Sequence, residues 1–317
     1  MGTIKNYLSL VKFSHTVFAM PFALVGFMLG ASMPLSVVPG WHSFVLPLNH
    51  PFPEDSLIYQ YAQGANFWLL FFKYLALVIL CMVFARSAAM AFNRYLDSAF
   101  DAKNPRTAIR EIPAGIISKN SALRFVLFNS FAFIGTTFFI NRLCFYLSPV
   151  ALLVVLGYSY TKRFTPLCHL VLGLGLSLAP IGAYLAVTGV FHLLPVLFSL
   201  LVLFWVSGFD IIYALQDEEF DKSNKLHSIP AALGKKNALR VSELLHVCCA
   251  VLVVVAGWYG YFGWWYWAGA TLFILFLIYQ HLLVKPNDLS KVNLAFFTSN
   301  GMASVAFGVL VIIDLLF

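Results

Sequence analysis

Residues 67–107 read FWLLFFKYLALVILCMVFARSAAMAFNRYLDSAFDAKNPRT, and the run changes character part-way. Its first part, 67–92, is apolar for long enough to cross a bilayer, which takes roughly 20 residues. Its second part places Asn93, Asp97 and Asp101 four apart, with Lys103 and Arg106 close behind. A spanning helix that ends in two carboxylates and a cluster of cations sets both the class of the chain and the question of its chemistry.

The class extends to the whole sequence. Of 317 residues, 61% are hydrophobic and 10% are charged, against about 25% charged in a soluble domain. Nine apolar runs are long enough or nearly long enough to span: 16–36, 67–92, 122–141, 145–160, 166–188, 191–212, 239–258, 262–284 and 292–316. The fourth is the shortest. Continuous apolar runs satisfy their backbone as helices, and the alternating strands of a barrel are absent. The expectation is an all-α polytopic membrane protein, a bundle of nine transmembrane helices forming one domain over 1–317 with no soluble appendage. Lys5 and Lys12 precede the first run, which is too long for a signal-peptide core and reads as a spanning helix.

The net charge of +7 follows membrane topology and gives no nucleic-acid signal. With nine helices, Lys5 and Lys12, then Arg94 to Arg124, Lys162 and Arg163, Lys222 to Arg240, and Lys285 and Lys291 all fall on one side. Opposite loops hold little beyond Arg142 and Lys73. The N-terminus and the charged loops are therefore expected at the cytoplasmic side, in a bacterial inner membrane. The five cysteines have neither zinc nor disulfide spacing. The outer loop 37–66 carries four prolines and no evident chemistry, His15 reads as an interfacial helix-end residue, and Pro180 is expected to bend its helix.

Two inner loops stand apart. NRYLDSAFDAKNPRTAIREIPAG (93–115) and DIIYALQDEEFDKSNKLHSIPAA (210–232) align Asp97 with Asp217 and Asp101 with Asp221, and EIPAG echoes SIPAA. Two weakly related halves facing each other would bring both stripes to one site. Asn93, Asp97 and Asp101 share one helix face, as do Asp210, Tyr213, Asp217 and Asp221. Eight of the chain's thirteen acids lie in these stretches, which scattered solvation would not produce. Like charges one turn apart repel and call for a counter-charge. Hard oxygen ligands fit Mg²⁺, which is commonly shared between carboxylates and a phosphate. Lys103, Arg106, Arg110, Lys162, Arg163 and Lys222 could hold phosphate oxygens. Acids for a metal and bases for phosphate, set beside a greasy bundle, describe a lipid diphosphate site. Ionising such a diphosphate leaves an allylic cation that needs a dry, aromatic pocket.

Other charges read more simply. Lys235, Lys236 and Arg240 fit a solvated loop, as do Glu218, Glu219 and Lys119. Arg86 lies inside the second span, seven residues before Asn93 and on its face. It reads either as functional or as a salt bridge that shapes the bundle.

NRYLDSAFD and DIIYALQDEEFD, with YSYTKRF after the fourth run, resemble the motifs of the UbiA-type intramembrane aromatic prenyltransferases, and the resemblance covers nearly the whole chain. It implies that Asp97, Asp101, Asp217 and Asp221 hold Mg²⁺ and carry catalysis. Asn93, Lys103, Arg106, Arg110, Lys162, Arg163 and Lys222 would bind the diphosphate. Asp210 and Tyr213, in the second motif, would face the acceptor, and Arg86 is expected to join them from its position in the second span alone. NPRTAIREIPAG, GFDIIYALQDEEFD and LHSIPAALG look closest to the 4-hydroxybenzoate polyprenyltransferase branch. The implied partners are a polyprenyl diphosphate, a small aromatic acceptor and the bilayer, with no obligate protein partner. An acceptor of the 1,4-dihydroxy-6-naphthoate type, serving menaquinone, is the alternative. A cation-coupled transporter is a remote one, because carriers place charges near the midplane and these stripes sit at helix ends.

Overall fold

The computed structural model describes residues 2–11, 20–35 and 52–317, with side chains over 6–11, 20–32 and 52–317. Lys5, Lys12, His15 and most of the outer loop lie outside the residues or side chains described. In chain order the helices are α1 (Gly2–Leu10), α2 (Met20–Leu35), α3 (Leu57–Ala62), α4 (Phe67–Asp101), α5 (Lys119–Phe138), α6 (Arg142–Thr161), α7 (Cys168–Thr188), α8 (Leu193–Ala214), α9 (Glu218–Ser223), α10 (Ile229–Tyr259), α11 (Trp264–Leu283) and α12 (Asn300–Leu316). Among the described residues, eight helical segments are long and apolar enough to cross a membrane, and α2 is a shorter apolar helix beside them. No strand occurs among the described residues, so the all-α expectation holds.

Element ends are set by local chemistry. The side chains of Asn66, Ser118, Asn141 and Ser228 cap α4, α5, α6 and α10 by accepting backbone N–H groups. α4 continues well past the apolar run, carrying Asn93, Asp97 and Asp101 on unbroken helix. α10 begins ahead of its apolar run and breaks at Gly234, whose φ of 75° requires glycine. Asp314 of α12 accepts the Gly263 and Tyr266 amides and so anchors the start of α11.

α8 is the most buried of the eight long spans. Trp205 lies at its centre against Phe22, Phe209 and Phe273, and its indole N–H donates to Asn300 at 3.1 Å. Small residues let helices approach closely where no hydrophobic drive operates between lipid and protein. α7 runs without interruption through Pro180, and Gly26 of α2 packs on the Pro180 carbonyl. A Cβ on Gly26 would sit 2.0 Å from that oxygen, so Gly26→Ala should cost about 1–3 kcal/mol by overpacking. A lowered Tm in detergent would register it. Gly135→Ala, inside α5 with nothing within 4 Å of the added atom, should not lower Tm.

Candidate active site

The two acidic stripes meet. α4 supplies the first from a continuous helix. The second is not on one continuous helix, because α8 ends at Ala214 and a tighter 3₁₀ turn, Leu215–Asp217, precedes α9. Asn93, Asp97, Asp101, Asp210, Tyr213, Asp217 and Asp221 nevertheless all line one cavity of about 700 Å³. Glu218 and Glu219 do not, and Glu218 is paired with Lys222 at 2.6 Å and Lys235 at 3.9 Å.

Asp97, Asp101, Asp217 and Asp221 are each paired with a different cation. Arg163 reaches Asp97 at 3.3 Å, Arg110 reaches Asp101 at 2.7 Å, Arg106 reaches Asp217 at 2.5 Å and Lys162 reaches Asp221 at 2.8 Å. Arg106 is bidentate on Asp217 and also donates to the Tyr213 hydroxyl at 3.0 Å. Asn93 donates to Asp97 at 3.1 Å, Asn104 to Asp217 at 3.3 Å and Ser228 to Asp221 at 2.8 Å. Burial lowers the affinity of Arg106 and Lys162 for their protons. The carboxylates of Asp217 and Asp221 more than offset it, so both cations end above their ordinary pKa and stay charged. The guanidinium of Arg163 also lies over the Phe100 and Tyr160 rings at 5.7 and 5.2 Å.

Below this rim the cavity turns apolar. Phe133, Ile140, Val150, Ala179, Gly182 and Phe191 line it, so it runs from the charged helix ends to the opposite end of the bundle. Arg86 lines its interior, with a buried Nε that no described residue hydrogen-bonds. Of the other expected phosphate ligands, Lys103 is exposed and outside the lining, and Lys222 is outside it on Glu218.

Three lining residues, Arg94, Asn104 and His169, and Ser228 bonded to Asp221, are not among the candidate site residues read in the sequence. Arg94 is 4% exposed, with Nε and Nη1 unpartnered among the described residues. His169 is buried and bonded to Asp210. Asn104 and Ser228 orient Asp217 and Asp221. An ionisable residue inside an apolar run was the available signal for His169. Ser228 falls in the echoed SIPAA segment.

An acid-and-base rim thus lies over a long apolar chamber in a helical bundle. Residues 56–301 match the UbiA prenyltransferase family, and the chain belongs to that family and is a prenyltransferase. It is 30% identical over 222 residues to 4-hydroxybenzoate octaprenyltransferase of Tolumonas auensis, covering 70% of this chain and 77% of that protein. The protein of the same name from Aliivibrio fischeri is 29% identical over 236 residues, 74% of this chain and 81% of that one. Among solved structures, the apo UbiA homolog from Aeropyrum pernix K1 superposes with a TM-score of 0.76 at 29% identity, over 95% of this chain and 98% of that one. The UbiA homolog from Archaeoglobus fulgidus bound to GPP and Mg²⁺ shares the fold, with a TM-score of 0.67 at 18% identity over 98% and 100% of the two chains.

Proposed function

We propose that the protein transfers a polyprenyl chain from its diphosphate to a hydroxylated aromatic acid of the 4-hydroxybenzoate type, with Mg²⁺, in quinone biosynthesis at the cytoplasmic face of a bacterial inner membrane. The observation that carries this reading is the one-to-one pairing of four aspartates with four cations at the mouth of an apolar cavity. The donor chemistry supports the metal, although among the described residues no three of these acids stand close enough together to form a ready metal site and each is paired with a cation. Four carboxylates offer hard oxygens, and Asp101 Oδ2 is buried without a hydrogen-bond partner among the described residues. Asp97, Asp101, Asp217 and Asp221 would hold Mg²⁺, which when bound supplies positive charge against the diphosphate leaving group. The relatives' shared name supports the choice of acceptor.

The protein's own residues account for the rest. Arg106, Arg110, Lys162 and Arg163 exchange their carboxylate partners for diphosphate oxygens and stabilise the charge that grows as the C–O bond breaks. Asn93 and Tyr213 add polar contacts at the rim. The prenyl tail occupies the apolar length of the cavity, which keeps water from the allylic cation. Arg86 holds the acceptor carboxylate, and Asp210 faces the acceptor hydroxyl. The test is transfer of radiolabelled prenyl diphosphate in EDTA-stripped membranes. Transfer should be lost on stripping and return with Mg²⁺. Full transfer in the stripped membranes would contradict the metal assignment.

A further inference from the structure

Asp210 and His169 form a pair in the cavity wall that the diphosphate rim does not use. His169 lies in the first turn of α7 and Asp210 near the end of α8, with 2.7 Å between Nδ1 and Oδ2. Both line the cavity, and the His169 side chain is 4% exposed against 22% for Asp210. The contact is built by close helix packing. A Cβ on Gly173, one turn beyond His169, would lie 2.3 Å from Ser207 Oγ and 2.5 Å from the Leu203 carbonyl oxygen. Ser207 in turn donates to the His169 carbonyl at 3.2 Å.

The other ring nitrogen settles the tautomer. The backbone N–H of Ile229 points at His169 Nε2 from 3.4 Å. An N–H facing Nε2 meets a lone pair and would repel a second hydrogen, so the ring proton is assigned to Nδ1 and is donated to Asp210. One Asp210 oxygen is thereby held. The other takes no hydrogen bond from the described residues, on a carboxylate still partly open to the cavity. Asp210 precedes Asp217 by seven residues and lies on α8 ahead of the 3₁₀ turn that carries Asp217, so it lines the cavity further back from the charged helix ends.

We propose that His169 is a positioning residue that aims Asp210 at the hydroxyl of the aromatic acceptor, and that Asp210 is the base of the reaction. The proposal rests on the transfer reading given above. As a ring carbon bonds to C1 of the prenyl chain, the C–O bond to diphosphate breaks and diphosphate leaves with the electron pair. The acceptor O–H proton passes to Asp210, and the ring becomes a neutral dienone. The ring C–H proton then goes to the released diphosphate while Asp210 returns its proton to the oxygen, restoring the aromatic hydroxyl. Without the Nδ1–H donor, Asp210 loses its fixed orientation and not its position on α8.

The experiment compares wild type, His169→Leu and His169→Asn in membranes with prenyl diphosphate, Mg²⁺ and 4-hydroxybenzoate, reading kcat and both KM values. His169→Leu should lower kcat on the order of 10²-fold, the low end of what a positioned general base contributes. It should raise the acceptor KM and leave the prenyl diphosphate KM unchanged. His169→Asn, whose amide N–H overlays Nδ1–H, should recover most of the loss. Wild-type kinetics in His169→Leu, or equal damage to both KM values in both variants, would overturn the proposal. If His169→Leu does not accumulate, Asp210→Asn carries the test: a normal prenyl diphosphate KM with kcat lost supports the base, and an unchanged kcat overturns it. A wild type that makes no product would instead overturn the transfer reading itself.

Discussion

Asp217→Asn should lower prenyl transfer on the order of 10²–10³-fold, the loss expected when a charge-stabilising group is removed from a transition state. Asp217 carries the densest set of contacts at the rim, accepting from Arg106 twice and from Asn104 once. The substitution keeps the shape and removes the charge that both a metal and the Arg106 guanidinium need. Arg106 is 34% exposed, so freeing it at the rim should cost about 1 kcal/mol or less of stability. An unchanged Tm with lost transfer would separate chemistry from folding. Asp97→Asn, on the opposite stripe, should show the same loss, because neither half of the site suffices alone. Either variant retaining wild-type transfer would break the account of a shared site.

Arg86→Met should act on the acceptor and spare the donor. Methionine keeps an unbranched apolar stem but cannot bond a carboxylate. A hydrogen bond to a charged group is worth about 1.5–3 kcal/mol, so the acceptor KM should rise about 10- to 100-fold. The prenyl diphosphate KM should stay unchanged. The same variant should lose its preference for a carboxylated acceptor over the corresponding phenol. Arg86 Nε has no partner among the described residues, which weakens the reading of Arg86 as a salt bridge that shapes the bundle. Steady-state kinetics with the two acceptors decides the matter, and an unchanged acceptor KM would remove Arg86 from the site.

Much of the architecture could be read from hydropathy, because a bilayer imposes a length and a composition that few other environments do. The stripes were legible for a similar reason: Asp97 and Asp101 keep helical spacing, and α4 carries them through without a break. What escaped depends on which helix lies beside which. Nothing in YSYTKRF says that Lys162 pairs with Asp221 while its neighbour Arg163 turns to Asp97. The same holds for His169, whose partner Asp210 is 41 residues away on another helix. Lys103 and Lys222 show the converse, since proximity in sequence to an aspartate motif does not place a flexible cation in the cavity. Gly234 also lay hidden. Its positive φ marks a break inside α10 that no periodicity reports.

Mass spectrometry of the reaction product tests the central claim most directly. Membranes containing the protein would be incubated with a polyprenyl diphosphate, Mg²⁺ and isotope-labelled 4-hydroxybenzoate, with labelled 1,4-dihydroxy-6-naphthoate in parallel. The account predicts a ring-prenylated hydroxybenzoate that has lost one hydrogen and gained the prenyl group, formed with release of diphosphate. Prenylated naphthoate as the sole product would keep the chemistry and change the acceptor. Free prenyl alcohol alone, or no consumption of the diphosphate, would contradict the account.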